Sequence, residues 1–109
     1  MRTAAPIFAA LGDETRLSLV MRLSAGGPQS VGRLAAGASV TRQAVAKHLG
    51  ILAEANLAHG DRAGREVIWR LDPQPLDEAR HAIDRIAAEW DSALTNLKRF
   101  LEQPDQSTS

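Results

Sequence analysis

Two short helical segments separated by only a few residues constrain this chain more than any other feature of its sequence. Ser30 precedes the first segment, which ends at Gly37, and Thr41 precedes the second. Serine and threonine are preferred helix N-caps, and glycine commonly ends a helix. In the second segment Val45, Leu49 and other apolar residues follow the helical period, and the opposite side is basic near its start. Two helices joined in this way form the helix-turn-helix pattern.

The periodicity changes from helix to strand after Asn56. In the segment EVIWRL, Val67, Trp69 and Leu71 point to one side and alternate with residues that point to the other. The four preceding residues, 62–65 (RAGR), contain the glycine that a tight turn needs. The pattern predicts a two-stranded β-hairpin, and a hairpin that follows a helix-turn-helix is a wing.

Three further helices are expected outside this central region. One covers residues 4–11, and Asp13 caps another that ends before Pro28. The last is long and runs from about Leu76 to Glu102, after the proline-containing break at residues 72–75. The expected fold class is therefore mostly α with a small β-hairpin, as a winged helix-turn-helix of five helices and a two-stranded wing.

The composition excludes several classes of function. A chain of 109 residues is long enough for one domain, and its lack of cysteine excludes disulfides, thiolate metal sites and thiol redox chemistry. No run of eighteen apolar residues occurs, and the first residues contain no apolar run of signal-peptide length, so a cytoplasmic protein without membrane partners is expected. The chain has no serine with a paired base, no phosphate-binding glycine loop and no carboxylate pair that would indicate an enzyme.

The formal net charge is zero, but the charges are unevenly distributed. Residues 1–71 contain nine Arg or Lys and five Asp or Glu, a net charge of +4, whereas residues 72–109 contain four and eight, a net charge of −4. A phosphate backbone responds to the local field rather than to the net charge. The basic part therefore remains a candidate for nucleic-acid binding.

Three stretches together resemble the ArsR family of winged-helix repressors. LGDETRLSLVMRL is similar to the first core helix pair of that family, TRQAVAKHLGILAEANL to its recognition helix and GDRAGREVIWRL to its wing. The resemblance implies a homodimer formed through the first and last helices, with two recognition helices in successive major grooves of a palindromic operator in double-stranded DNA.

The sensor sites of the metal-responsive members are missing from this sequence. No cysteine occurs on the third helix, and the last helix offers a single histidine, His81, near Asp77, Asp84 and Glu78. One histidine with scattered carboxylates is a poor ligand set for a transition metal. The chain therefore resembles the non-metal-sensing subset; no cofactor or metal is expected, and no pattern identifies a small-molecule inducer.

The candidate DNA-binding residues lie on the two segments that would reach the duplex. On the recognition helix Arg42 and Gln43 are suited to bidentate contact with bases, Ala46 allows close approach, and Thr41 is either a cap alone or also a DNA contact. On the wing two arginines would face the minor groove or the phosphates. The full set is Thr41, Arg42, Gln43, Ala46, Lys47, His48, Arg62, Arg65 and, on the preceding helix, Arg33.

The candidate dimer interface consists of apolar residues on the first and last helices. Those of the last helix recur at steps of three and four, which is the spacing of paired helices. The set is Ile7, Phe8, Leu11, Ile83, Ile86, Trp90, Leu94, Leu97 and Leu101. A ligand pocket lined by Trp90 and the leucines is the alternative interpretation of the last helix.

Residues 1–102 are thus expected to form one DNA-binding and dimerisation domain, and residues 103–109 a disordered tail. The expected function is that of a dimeric, sequence-specific transcriptional repressor without a metal sensor, and repression of its own gene is compatible with this function. The alternative is a winged-helix module that dimerises and binds protein, and whose basic face serves only solubility. Steep loss of affinity with added salt would distinguish DNA binding from an apolar protein interface.

Overall fold

The computed structural model describes residues 4–103 and contains the five helices that the sequence predicts. The elements are α1 (Ala5–Leu11), α2 (Glu14–Gly26), β1 (Gln29–Ser30), α3 (Val31–Ala36), α4 (Arg42–Glu54), β2 (Ala58–Ala63), β3 (Glu66–Leu71) and α5 (Pro73–Glu102). The chain divides into two compact units, Met1–Ala79 and Arg80–Ser109. Most of the expected tail lies outside the described residues.

Side-chain caps begin the helices of the central region. The Asp13 carboxylate accepts a hydrogen bond from the backbone N–H of Arg16 at 3.0 Å, and Ser30 Oγ accepts one from Arg33 at 3.2 Å. Each cap satisfies one of the backbone N–H groups that a helix leaves free at its start. The predictions that Asp13, Ser30 and Thr41 open α2, α3 and α4 are confirmed.

The start of α5 differs from the sequence prediction. The helix begins at Pro73 instead of about Leu76, so residues 73–75 are helical and do not form a break. Proline is tolerated in the first turn, where its missing N–H would have no helical partner. Asp72 Oδ1 accepts a hydrogen bond from the backbone N–H of Gln74 at 3.0 Å and so caps this turn.

The predicted two-stranded wing is confirmed as the β2–β3 hairpin, and a short third strand, β1, extends the sheet. All pairs are antiparallel in the order β1-β3-β2, and the short β1 pairs Gln29 with Trp69 and Ser30 with Ile68. In the β2–β3 hairpin Gly60 lies opposite Trp69, and a β-carbon at Gly60 would come within 3.1 Å of the indole. Glycine there leaves room for the ring of Trp69.

The core of the first unit is aliphatic. Its largest fully buried side chains come from α2, α3, α4 and the segment that follows α4. They are Leu19, Leu34, Val45, Leu49, Leu52 and Leu57. Burying each one stabilises the fold by about 1.5–3 kcal/mol. The core therefore anchors both helices of the helix-turn-helix through their inner faces.

Candidate nucleic-acid interface

The first turn of α4 is held by Thr41. Its Oγ1 accepts a hydrogen bond from the backbone N–H of Ala44 at 3.1 Å, and its own backbone is extended, with φ −71° and ψ 163°. The Thr41 side chain is exposed at the start of the helix. The other free N–H groups of this turn, with the positive end of the helix dipole, create a favourable place for a phosphate.

The two sides of α4 differ sharply in burial. Val45, Leu49 and Leu52 have 0% exposed surface and belong to the core. The exposed residues on the opposite side are Arg42, Gln43, Ala46, Lys47 and Gly50. This exposed side, called the α4 outer face below, combines two cations and an amide with two small residues. It therefore presents hydrogen-bond donors to a partner while allowing close approach of the helix.

Arg42 lies at the edge of the α4 outer face that is nearest to α3. A β-carbon placed on Gly32 of α3 would be 3.1 Å from its Nη2 and 3.5 Å from its Cζ. The guanidinium group therefore rests against the first turn of α3 in this structure. A glycine at position 32 leaves the space that the guanidinium occupies.

His48 is placed differently from the other predicted DNA-binding residues of α4. Its side chain is 22% exposed and faces α2, where Nδ1 lies 3.8 Å from Asp13 Oδ2 and 3.4 Å from Arg16 Nη1. The backbone hydrogen bond from Arg16 is the main cause that holds the pKa of the Asp13 carboxyl below its usual value. His48 thus joins α4 to the start of α2, and it is not part of the α4 outer face.

The position of α3 depends on Arg22 of α2. Its Nη1 donates a hydrogen bond to the carbonyl oxygen of Leu34, and its Nη2 donates one to that of Arg33 at 3.3 Å. Carbonyl groups in the last turn of a helix have no helical partner, so a cation favours this end. The side chain of Arg33 itself is exposed, as a phosphate contact requires.

The wing presents two exposed arginines beside its turn. Gly64 and Arg65 form the turn, and the positive φ of Gly64, +65°, fits a type II′ hairpin with glycine at the first central position. Arg62 lies in β2 opposite Val67. Within residues 4–103 neither Arg62 nor Arg65 forms an ion pair. Both are therefore available to a partner.

The base of the wing carries a pair that the sequence analysis missed. His59 Nε2 of β2 lies 2.9 Å from Asp72 Oδ2, and the other oxygen of this carboxylate caps α5. The hydrogen bond from the Gln74 backbone, followed by that from His59, holds the pKa of Asp72 below its usual value. No local pattern links residues thirteen positions apart, so only the hairpin register brings them together.

The predicted interface residues of α1 do not share one environment. Ile7 is 5% exposed and packs in the core of the first unit, whereas Phe8 is 36% exposed and Leu11 is half-buried. Ile7 therefore belongs to the protomer core and has little surface to offer a partner. Phe8 is the exposed large hydrophobic side chain of this helix.

In the second unit the predicted interface residues form an exposed apolar stripe. Ile83 and Ile86 are each 52% exposed, and Trp90 is 65% exposed. Phe100 was not among the predicted interface residues, although its side chain is 72% exposed. It follows Ala93 by seven positions, a spacing typical of paired helices, and this spacing could have identified it. The α5 stripe consists of Ile83, Ile86, Trp90, Leu94, Leu97, Phe100 and Leu101. A single helix with so much exposed apolar surface needs a partner to bury it.

The part of the chain that the structure describes contains no helix long and apolar enough to cross a membrane. Within residues 4–103 no group of three or more His, Asp or Glu side chains is arranged to hold a metal ion. His48 and His59 are instead each close to one aspartate.

The fold and the α4 outer face together define a winged helix-turn-helix DNA-binding protein. The helix-turn-helix domain family matches residues 11–61. Over 99 residues the chain is 38% identical to the HTH-type transcriptional regulator Rv2034 of Mycobacterium tuberculosis, a match that covers 91% of this chain and 89% of that protein.

Solved structures give the same result. An ArsR-like transcriptional regulator from Rhodococcus sp. RHA1 is 38% identical, with a TM-score of 0.77 over 93% of this chain and 94% of that one. The homodimeric winged helix-turn-helix domain of Mb0332 from Mycobacterium bovis, 23% identical, shares the fold with a TM-score of 0.62 over 78% and 77%. The chain belongs to the ArsR family of transcriptional regulators, which are not enzymes.

Proposed function

We propose that this regulator is a homodimeric, sequence-specific repressor that binds a palindromic operator. The observation that carries the proposal is the α4 outer face, where Arg42, Gln43 and Lys47 are exposed while the opposite side of the helix is buried in the core. A rigidly anchored helix with exposed donors at its start suits the major groove. Occupancy of an operator that overlaps a promoter then blocks polymerase.

The wing and α3 supply contacts that do not depend on base identity. Arg65 lies in the tight turn of the wing and Arg62 in the adjoining strand, where cations reach the phosphates or the minor groove next to the site of α4. Arg33 and the capped start of α4 at Thr41 contribute further phosphate contacts. The role of His48 is to hold α4 against α2 through Asp13 and Arg16.

Dimerisation buries the α5 stripe and places two α4 outer faces on one duplex. Helices in proteins gain most of their stability from packing of an apolar face, so burial of the α5 stripe against a partner surface stabilises the second unit. Phe8 of α1 extends the apolar area available to the partner. Residues 1–102 then act as one DNA-binding and dimerisation domain.

A footprint of the purified protein on the DNA just upstream of its own reading frame tests this function. Protection of two half-sites about 10–10.5 base pairs apart, or a multiple of this, is expected for a symmetric dimer. The protected region would also show autoregulation. Equal binding to every duplex, without any protected site, would contradict sequence-specific repression.

Regulation by a metal or a thiol oxidant is not part of the proposed mechanism. The sequence contains no cysteine, and the three histidines occupy three separate elements. Adding zinc, cadmium, arsenite or a thiol oxidant to the protein–operator complex should leave its affinity unchanged. Release of the DNA by micromolar metal with one-site stoichiometry would contradict this prediction.

A further inference from the structure

Gly50 is an unexpected residue for its position. It lies in the interior of α4, is exposed, and belongs to the α4 outer face. Glycine weakens a helix relative to alanine, because it loses more conformational freedom on folding. A β-carbon added at Gly50 would meet no atom within 4 Å, and its φ is not positive. Nothing in the protomer therefore requires glycine here.

Every other glycine in residues 4–103 either has a positive φ or lies close to a neighbouring group. Gly27 and Gly64 have positive φ. At the remaining ones an added β-carbon would lie within 3.2 Å of a neighbouring atom. These are Gly12, Gly26, Gly32, Gly37 and Gly60. Gly50 is the one glycine of residues 4–103 that has neither a positive φ nor an atom within 4 Å of an added β-carbon, so the described part of the protomer shows no steric reason for glycine there.

The position of Gly50 along α4 points to DNA. Gly50 follows Arg42 by eight positions, which corresponds to about 12 Å along the helix axis. This distance is similar to the width of the major groove. A helix that enters the groove at Arg42 therefore meets the phosphate rim near Gly50. Four residues further, Glu54 is exposed and acidic, and a carboxylate there would repel a phosphate. The contact thus ends between Gly50 and Glu54.

We propose that Gly50 is a DNA-contact position, at which the phosphodiester backbone of the operator approaches the backbone of α4 closely. The proposal rests on the proposed DNA-binding function. An added methyl group at Gly50 separates the two backbones, although it does not disturb the protomer. Because a phosphate carries no sequence information, the affinity should decrease equally for all duplexes.

The Gly50→Ala variant tests the proposal, because stability and binding should move in opposite directions. Its Tm should rise, while its affinity should fall about fivefold to tenfold on both kinds of duplex. The two duplexes are one selected from a random-sequence pool by the wild-type protein and one unselected duplex of equal length. Ser24→Ala is the matched control, since Ser24 is exposed on α2 and alanine also favours helix there. It should raise Tm and leave DNA binding unchanged.

Each result of this experiment is decisive. If Gly50→Ala is more stable and binds both duplexes as wild type does, the proposal is wrong while DNA binding stands. A lower Tm for Gly50→Ala, or a changed oligomeric mass, also overturns it, because the reason for glycine would then lie within the protein. If the wild-type protein selects no duplex and binds neither, the proposed function fails together with this inference.

Discussion

The side chains of α4 divide into two groups by what they contact inside the protomer. His48 is close to Asp13 and Arg16, and a change there disturbs the attachment of α4 to α2. The side chains of Gln43 and Lys47 form no hydrogen bond within residues 4–103. This second group can contact DNA without giving up an interaction that holds the fold.

Arg42→Ala and Gln43→Ala should reduce sequence discrimination. Both side chains lie in the first turn of α4 and can form two parallel hydrogen bonds with one base. Each change should cost about 1–3 kcal/mol on the best operator and little on random DNA. Affinities for operator and random duplex, measured at several salt concentrations, provide the comparison.

The wing variants Arg62→Ala and Arg65→Ala are the matched counterparts in this measurement. Phosphate contacts are independent of sequence, so these changes should weaken operator and random DNA by similar factors. The salt dependence should flatten by about one unit for each lost contact. If the wing changes altered specificity while the α4 changes acted uniformly, the roles of the two elements would be reversed.

At the scale of elements, aspartates begin the two helices that flank the helix-turn-helix and wing. Asp13 caps α2 and is near His48 of α4, whereas Asp72 caps α5 and is bonded to His59 of β2. Asp13 therefore connects the start of α2 to α4, and Asp72 connects the start of α5 to the wing. Their charge state affects how firmly these elements are held together.

The stability of the protein should decrease in acid because of these two caps. Backbone hydrogen bonds hold the pKa values of Asp13 and Asp72 below the usual value of 3.8. Their contribution is thus present above the unfolded-state pKa and is lost as the pH falls through the lower folded-state values. Thermal unfolding between about pH 2 and 7, at one protein concentration, measures this loss.

Asp13→Asn and Asp72→Asn provide the controls for the acid effect. Asparagine also caps helices but does not titrate. Each variant should therefore unfold with a shallower dependence on pH below about 4 than the wild-type protein. Identical pH profiles for the variants and the wild type would show that these caps do not account for acid sensitivity.

At the scale of the whole molecule, charge and apolar surface are separated along the chain. Residues 1–71 carry a net charge of +4 and residues 72–109 one of −4, and the α5 stripe lies in the acidic part. The basic part holds α4 and the wing. The proposed DNA-binding surface and the proposed dimerisation surface are thus different, and a substitution in one does not alter the other directly.

Leu97→Glu should convert the dimer to a monomer, because it places a charge within the α5 stripe. Light scattering at micromolar concentration should show twice the chain mass for the wild type and a single chain mass for the variant. Ser92→Glu is the matched control, since Ser92 is exposed on α5 outside the stripe. A wild-type protein that is monomeric at this concentration would contradict the dimer.

The sequence by itself determined the features that depend on neighbouring residues. Asp13, Ser30 and Thr41 identify three helix starts because a cap acts over three residues. The apolar period predicts which side of α4 is buried, and the alternation after Asn56 predicts the hairpin. Local propensity and periodicity therefore sufficed for the fold class and for most of the α4 outer face.

Only the tertiary structure decided the features that depend on distant residues. The strand β1 forms because Gln29 and Ser30 pair with β3. Two residues are too few to show the alternation of apolar and polar side chains that identifies a strand in a sequence. The apolar pattern assigns Ile7 and Phe8 to the same interface. In the structure Ile7 is buried in the core, whereas Phe8 is exposed. The free space at Gly50 also becomes visible only when its surroundings are known. Long-range packing, which a local pattern does not encode, is the common physical reason.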